Sequence, residues 1–299
     1  MPLQKLAFAE LRVPDLGSCL DFHTQVLGLN IIAQSAGRAY LGAGGDDGLD
    51  LILTEDPAGR SGAPRFALMV DGADDLIGYQ SRLQEAGLDS WRESAPAPGI
   101  AESLSFTLPS GHVVALVTAA ASSKYLHPAR RSAGISWGIG PVDVDHITLR
   151  VGDSLALNMK CLSEVLGFRA SDVSVMPDGN VAAVWMRVGD YHHDVAMFGG
   201  PPGESLDHLA WNVSTFENIK RSLDVLGQFG IPAEAGPGRH GIGGNLYAYF
   251  RAPGGNRYEL SAEMPRFLNR DAEPVIWTDP AAGFSAWGSR HPESFKDGS

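Results

Sequence analysis

Four stretches of the chain alternate apolar and polar positions and end in valine: "AFAELRV", "RFALMV", "VDHITLRV" and "LDHLAWNV". A period of two is the mark of a strand that buries one face. After each stretch a polar residue lies at or near the start of a run of apolar residues at helical spacing, and the run stops at a glycine. A polar N-cap and a glycine stop predict a short amphipathic helix. Beyond each helix come further alternating segments rich in Gly and Pro, such as "AYLGAGGDDGLDLILTE" and "VAAVWMRVGDYHHDVAMFG". These predict the strands of a small sheet.

The repeat reads as four βαβββ modules of roughly 50–60 residues, each too short for a comfortable core of its own, so pairing is expected. The predicted fold class is α+β, with the modules paired into two half-barrel domains. The Ala, Ser, Gly and Pro content of "AAASSKYLHPARRSAGISWGIGP" marks the connection between them. Domain 1 is placed at residues 1–135 and domain 2 at residues 136–265. Residues 266–299 form a C-terminal extension, read as extended chain packing on the outside by its aromatics.

Composition narrows the function without changing this picture. The 299 residues are 44% hydrophobic and 19% charged, the balance of an ordinary globular protein. A net charge of −12 argues against a nucleic-acid partner, which would want a basic patch. No apolar run approaches the ~20 residues of a membrane helix, and the N-terminus lacks the layout of a signal peptide. A cytoplasmic protein with no membrane partner is expected. Cys19 and Cys161 fall in predicted helices of different halves and read as reduced core residues.

The chemistry emerges where the copies differ. "LPSGHVVAL" (108–116) and "APGGNRYEL" (252–260) share a turn and an alternating strand, but Glu259 stands where the first copy has Ala115. Aligning the strand-ending valines sets His146 opposite Phe8 and His208 opposite Arg65. A lone histidine in a strand is usually structural, and a lone glutamate on an alternating strand is usually its solvent face. Three such residues at matched positions of one repeat pair, all missing from the other, point to a metal site. Two imidazoles and one carboxylate make the facial triad that leaves open positions on non-haem Fe(II).

Nearly the whole chain resembles the type I extradiol (catechol-cleaving) dioxygenases of the vicinal oxygen chelate superfamily. The resemblance is strongest in "HGIGGNLYAYFRAPGGNRYE", from His240 to Glu259: a His, a Tyr, a Pro-x-Gly turn, then the ligand Glu. Ala248 and Ala252 are mild departures from the family pattern. The resemblance implies a degenerate first domain without metal and a catalytic second domain. It implies that His146, His208 and Glu259 hold Fe(II), with Mn(II) tolerated by the same ligands. It implies that His193 stands by the oxygen site, and that His240 and Tyr249 face the catechol oxygens. The partners implied are a small aromatic diol and O2, and the assembly a homo-oligomer. Ser105 lies opposite Tyr249, and Pro96 or Pro98 opposite His240, so domain 1 lacks these residues too.

Around this set, Trp185 (at even spacing from His193) and Thr148 (two past His146) are candidate pocket residues, beside Phe198. His192 is read as pointing to the opposite face of its strand, structural or exposed. Other readings are a glyoxalase-like isomerase, a keto-acid dioxygenase of the same superfamily, or a ligand-sequestering binding protein. An isomerase would draw ligands from both halves, which Phe8, Arg65 and Ala115 do not supply.

Overall fold

Each predicted module closes on itself by pairing its last strand in parallel with its first. The computed structural model describes residues 3–46, 48–121, 138–199, 205–290, 292–296 and 298–299. In the first module β1 (Leu3–Val13) leads into α1 (Leu16–Asp21), followed by β2 (Asn30–Ser35), β3 (Arg38–Gly42) and β4 (Leu51–Glu55). The second runs β5 (Arg65–Val70), α2 (Ala73–Glu85), β6 (Ser90–Ser94), β7 (Ile100–Thr107) and β8 (Val113–Ala119). β4 pairs in parallel with β1, and β8 with β5, connections that need the long helix-containing crossover each module provides. Antiparallel pairing of β1 with β5 then fuses the modules into one sheet, ordered β2-β3-β4-β1-β5-β8-β7-β6.

The second half repeats the plan. β9 (Asp143–Arg150), α3 (Leu155–Cys161), β10 (Arg169–Val175), β11 (Val181–Arg187) and β12 (Val195–Phe198) form one module. β13 (Leu206–Ser214), α4 (Phe216–Gln228), β14 (Ala233–Arg239), β15 (Leu246–Arg251) and β16 (Arg257–Ala262) form the other. The sheet is ordered β14-β15-β16-β13-β9-β12-β11-β10-β17, where β17 (Val275–Trp277) comes from the C-terminal extension. The extension therefore does more than coat the outside: it adds an edge strand parallel to β10 and a short helix, α5 (Pro280–Phe284). The connection predicted between the halves, with the boundary at residue 135, lies for the most part at 122–137, outside the described residues.

The local signals acted as the sequence suggested. Asp15 caps α1 by accepting from Ser18 N, and Thr215 caps α4 by accepting from Asn218 N. The stops at Gly28, Gly87, Gly167 and Gly230 all take positive φ, the left-handed geometry that glycine adopts without strain. α2 buries Leu76, Tyr79 and Leu83, one stripe at helical spacing, against its sheet. One feature had no sequence signal: α1 and α3 both widen into a π turn, at Phe22–Val26 and Leu162–Leu166. Cys19 and Cys161 are free and buried. No described helix is long and apolar enough to cross a membrane.

Strand register bears out the alignment of the halves. Ala67 pairs with Ala115 where Ala210 pairs with Glu259, and Ser105 pairs with Ala115 where Tyr249 pairs with Glu259. Glu10 pairs with Arg65 where Thr148 pairs with His208. In the N-terminal sheet these positions are filled rather than open. Phe8, Ile52, Ala67 and Ala115 belong to one buried apolar cluster, and Arg65 makes a 2.9 Å ion pair with Glu10.

Ala115→Glu would place a carboxylate in this cluster with no imidazole to meet it. We expect a loss of about 3 kcal/mol or more in urea unfolding and no gain of bound metal by elemental analysis. Metal uptake at the N-terminal sheet would contradict the reading of that half as scaffold.

Candidate metal centre

Three adjacent strands deliver the candidate ligands. His146, His208 and Glu259 lie on β9, β13 and β16, which are neighbours in the sheet order β16-β13-β9. In a flat sheet the backbones of β9 and β16 would stand roughly 9–10 Å apart. Yet His146 Nε2 lies 3.2 Å from Glu259 Oε2, and His208 Nε2 lies 3.1 Å from the same oxygen. The three buried side chains thus converge on one point, with ligand atoms all within 4.8 Å of one another.

Each imidazole is aimed by the residue before it. His146 Nδ1 donates to Asp145 Oδ2 at 3.0 Å, and His208 Nδ1 donates to Asp207 Oδ1 at 2.8 Å. A carboxylate only accepts, so each Nδ1 keeps its proton, and each Nε2, once it gives up the proton it shares with Glu259, would offer a lone pair inward. The signal for this was in the sequence, as an Asp-His dipeptide at both ligand positions. Asn245 Nδ2 donates to Glu259 Oε1 at 3.1 Å and fixes the third ligand. Burial would push the Glu259 carboxyl up, but the His146 charge and the hydrogen bonds from His146 and His208 outweigh it and hold it well below its ordinary range. Burial likewise lowers His146, and the Glu259 charge and the Asp145 hydrogen bond more than reverse this, raising it to about 9. Two imidazole nitrogens and a carboxylate oxygen, with no thiolate among them, fit a divalent Fe or Mn ion.

A second group of residues flanks the triad. The His193 ring lies 4.2 Å from that of His146, and His193 Nδ1 is 2.9 Å from His192 Nδ1. His192 Nε2 in turn lies 2.9 Å from Asp172 Oδ2. His192 is therefore buried rather than exposed; it does not line the cavity but bridges Asp172 and His193, a structural role reached without strand alternation. Residues 191–194 form a bridge and bend before β12 begins, so alternation does not apply to them. The chain of bonds also sets protons. Asp172 accepts from His192 Nε2, which makes His192 Nδ1 an acceptor and His193 Nδ1 a donor. His193 is left with its Nε2 lone pair for the cavity. Burial, followed by the neighbouring His146 and His192 charges, pushes the His193 imidazole well below its usual range.

On the other side, His240 Nδ1 donates to Phe284 O at 2.6 Å, so its Nε2 accepts from Tyr249 Oη at 2.9 Å. Burial and then the Glu259 charge raise the Tyr249 phenol well above its ordinary value, which keeps the hydroxyl neutral.

His146, His193, His208, His240, Tyr249 and Glu259 open on one cavity of about 270 Å³. Trp185 lines it, packed edge-on against Phe198 at 5.7 Å. Thr148 is not among its lining residues; its Oγ1 sits 2.9 Å from His208 Nε2, the nitrogen that also faces Glu259. Sequence reasoning missed Phe284 and Phe295, which bring the C-terminal extension into the cavity wall. Nothing local in a tail sequence reports a contact made across the whole second half.

Paired βαβββ modules with a buried His-His-Glu cluster in one half define a metal-dependent enzyme class. The chain belongs to the Glyoxalase/Bleomycin resistance protein/Dioxygenase superfamily, whose family description matches residues 5–116 and 143–260. It is 26% identical to the manganese-dependent 2,3-dihydroxybiphenyl 1,2-dioxygenase of Geobacillus genomosp. 3, over 93% of this chain and 90% of that one. It is 28% identical to the metapyrocatechase of Pseudomonas sp. (strain CF600), over 90% of this chain and 88% of that one. Among solved structures it is similar to the 2,3-dioxygenase LapB from Pseudomonas sp. KL28. The TM-score is 0.84 and the identity 27%, over 93% of this chain and 98% of that one. The resemblance to extradiol dioxygenases thus holds over nearly the full length and supports an enzyme of that type.

Glu259→Ala should abolish bound metal in protein purified with Fe(II) or Mn(II) and measured by elemental analysis. Asp207→Asn should keep the fold and weaken metal affinity about 10–100-fold in a chelator competition. Unchanged affinity in Asp207→Asn would show that the hydrogen bond to His208 does not organise the site.

Proposed function

We propose that the chain is an Fe(II)-dependent extradiol dioxygenase that opens the ring of a catechol and places both atoms of O2 in the product. Mn(II) is the alternative metal that the same donors would hold. The observation that carries this reading is the convergence of His146 and His208 Nε2 on one oxygen of Glu259, at the end of a largely apolar cavity. A bound divalent ion would acidify a catechol hydroxyl placed on it and hold the diol next to dioxygen.

The protein's own groups then divide the remaining work. The His193 Nε2 lone pair, fixed by the bonds to His192 and Asp172, takes a hydroxyl proton from the substrate and can return it later. Tyr249, neutral and hydrogen-bonded to His240, offers its hydroxyl to a catechol oxygen and orients the ring. Trp185 and Phe198 form a wall against which the ring can pack and from which water is excluded.

The test is oxygen uptake by metal-loaded protein given catechols, with ring opening followed by absorbance and 18O2 used to label the product. Both labelled atoms should appear in the ring-opened product. His193→Phe should retain metal and lower kcat roughly 10²–10⁴-fold. A loaded protein that binds catechols without consuming oxygen would instead be a ligand-sequestering binding protein.

A further inference from the structure

Resting on the catechol reading, we infer that the cavity takes a catechol whose ring substituent is apolar and uncharged, an alkyl or aryl group, and turns away carboxylated catechols. Away from the metal ligands the wall is made by Ala182, Trp185, Phe198, Ile242, Phe284 and Phe295. Among the described residues no Lys or Arg lines it. A carboxylate substituent would be desolvated there without a counter-ion, beside the acidic side chains of Asp207 and Glu259, which also line the cavity.

The arginines nearby are committed elsewhere. Arg150 donates to Asp207 Oδ2 at 2.7 and 3.0 Å. Arg257 pairs with Glu234 at 2.8 Å and with Asp207 at 3.4 Å, and its guanidinium packs 4.1 Å from the centre of the Phe295 ring. Phe295 presents that ring to Tyr249 and Phe284. The cavity histidines are no freer: His240 uses both ring nitrogens on Phe284 O and Tyr249, and His193 uses Nδ1 on His192. What remains for a substituent is hydrocarbon surface, apart from the Ser174 hydroxyl and the amide oxygen of Asn245, neither of which is a counter-ion for a carboxylate.

Two measurements on the metal-loaded protein test this. One is anaerobic binding followed by quenching of tryptophan fluorescence, with Trp185 in the wall as reporter. The other is kcat/KM from oxygen uptake. The probes are 3-methylcatechol and 2,3-dihydroxybiphenyl against 3,4-dihydroxyphenylacetate and 2,3-dihydroxybenzoate. The uncharged pair should be favoured about 100-fold or more in both readouts. Ala182→Arg, if folded by circular dichroism, should improve the relative affinity for the carboxylated pair about tenfold or more. Carboxylated catechols bound and cleaved within tenfold of the uncharged ones would overturn the inference, as would binding of neither class. If the uncharged pair binds selectively but no catechol consumes oxygen, the dioxygenase reading falls and the ligand class stands.

Discussion

The buried carboxylate of Asp207 is the interaction on which the site depends. One oxygen holds His208 by Nδ1 at 2.8 Å and so points its Nε2 at the metal position. The other takes two hydrogen bonds from Arg150. Arg257 reaches both the carboxylate and the backbone oxygen of Asp207. Without these cations a buried carboxylate would be costly and would tend to protonate. With them, the hydrogen bond from His208, its charge and the two guanidiniums outweigh burial and hold Asp207 below its usual range. The same arginines extend the arrangement outward. Arg150 donates to Phe295 O and Lys296 O, and Arg257 to Ser294 O. The side chains that keep the candidate ligand His208 in its tautomer therefore also hold the segment that supplies Phe295 to the cavity wall.

The two halves show what the same backbone does with and without a buried His-His-Glu cluster. At the position of the Thr148–His208 pair the N-terminal sheet carries Glu10 and Arg65, an ion pair whose carboxylate also accepts from Arg38 and Thr54. At the positions of His146 and Glu259 it carries Phe8 and Ala115 in an apolar cluster. An imidazole-carboxylate set needs outer partners for every remaining donor and acceptor, and the second half supplies them as Asp145, Asp207 and Asn245. The first half has no imidazole or carboxylate at the Phe8 and Ala115 positions, so no such partners are called for there.

Much of this was legible in the chain, for reasons that are local. The four strand-helix-glycine units follow from periodicity and turn chemistry, and the triad follows from comparing copies residue by residue. The register later found between β15, β16 and β13 only restates that comparison in hydrogen bonds. The misreadings came from assumptions about backbone continuity. His192 was assigned a face by strand alternation, but the chain bends there, and its ring instead bridges Asp172 and His193. Thr148 does share its strand with His146, yet its hydroxyl goes to His208 rather than to the open cavity. The wall residues Phe284 and Phe295 depend on contacts between segments far apart in sequence, which no window along the chain contains.

The scaffold half also bears on the ligand half through the turn that begins "APGGN". Asn256 accepts from Gly62 N and donates to Arg12 O, both at 2.9 Å, so the turn leading into the Glu259 strand is tied to the first sheet. Gly254, at φ +94°, passes close by: a Cβ there would meet Cys19 Sγ and Pro14 Cδ at 3.0 Å. Next to the ligand, Tyr258 turns to the other face of β16 and meets His23 Nε2 at 2.5 Å, both buried. The matching turn of the first half reaches back, as His112 Nε2 donates to Ser205 O just before β13. Strand alternation makes this arrangement economical. Glu259 faces the cavity while its neighbours Tyr258 and Leu260 lie in the main core, so contacts with the N-terminal half help to position the strand that carries the carboxylate. The position of Glu259 in one half thus depends on contacts with the other, so the N-terminal sheet has a structural part in the candidate site although it carries no such cluster itself.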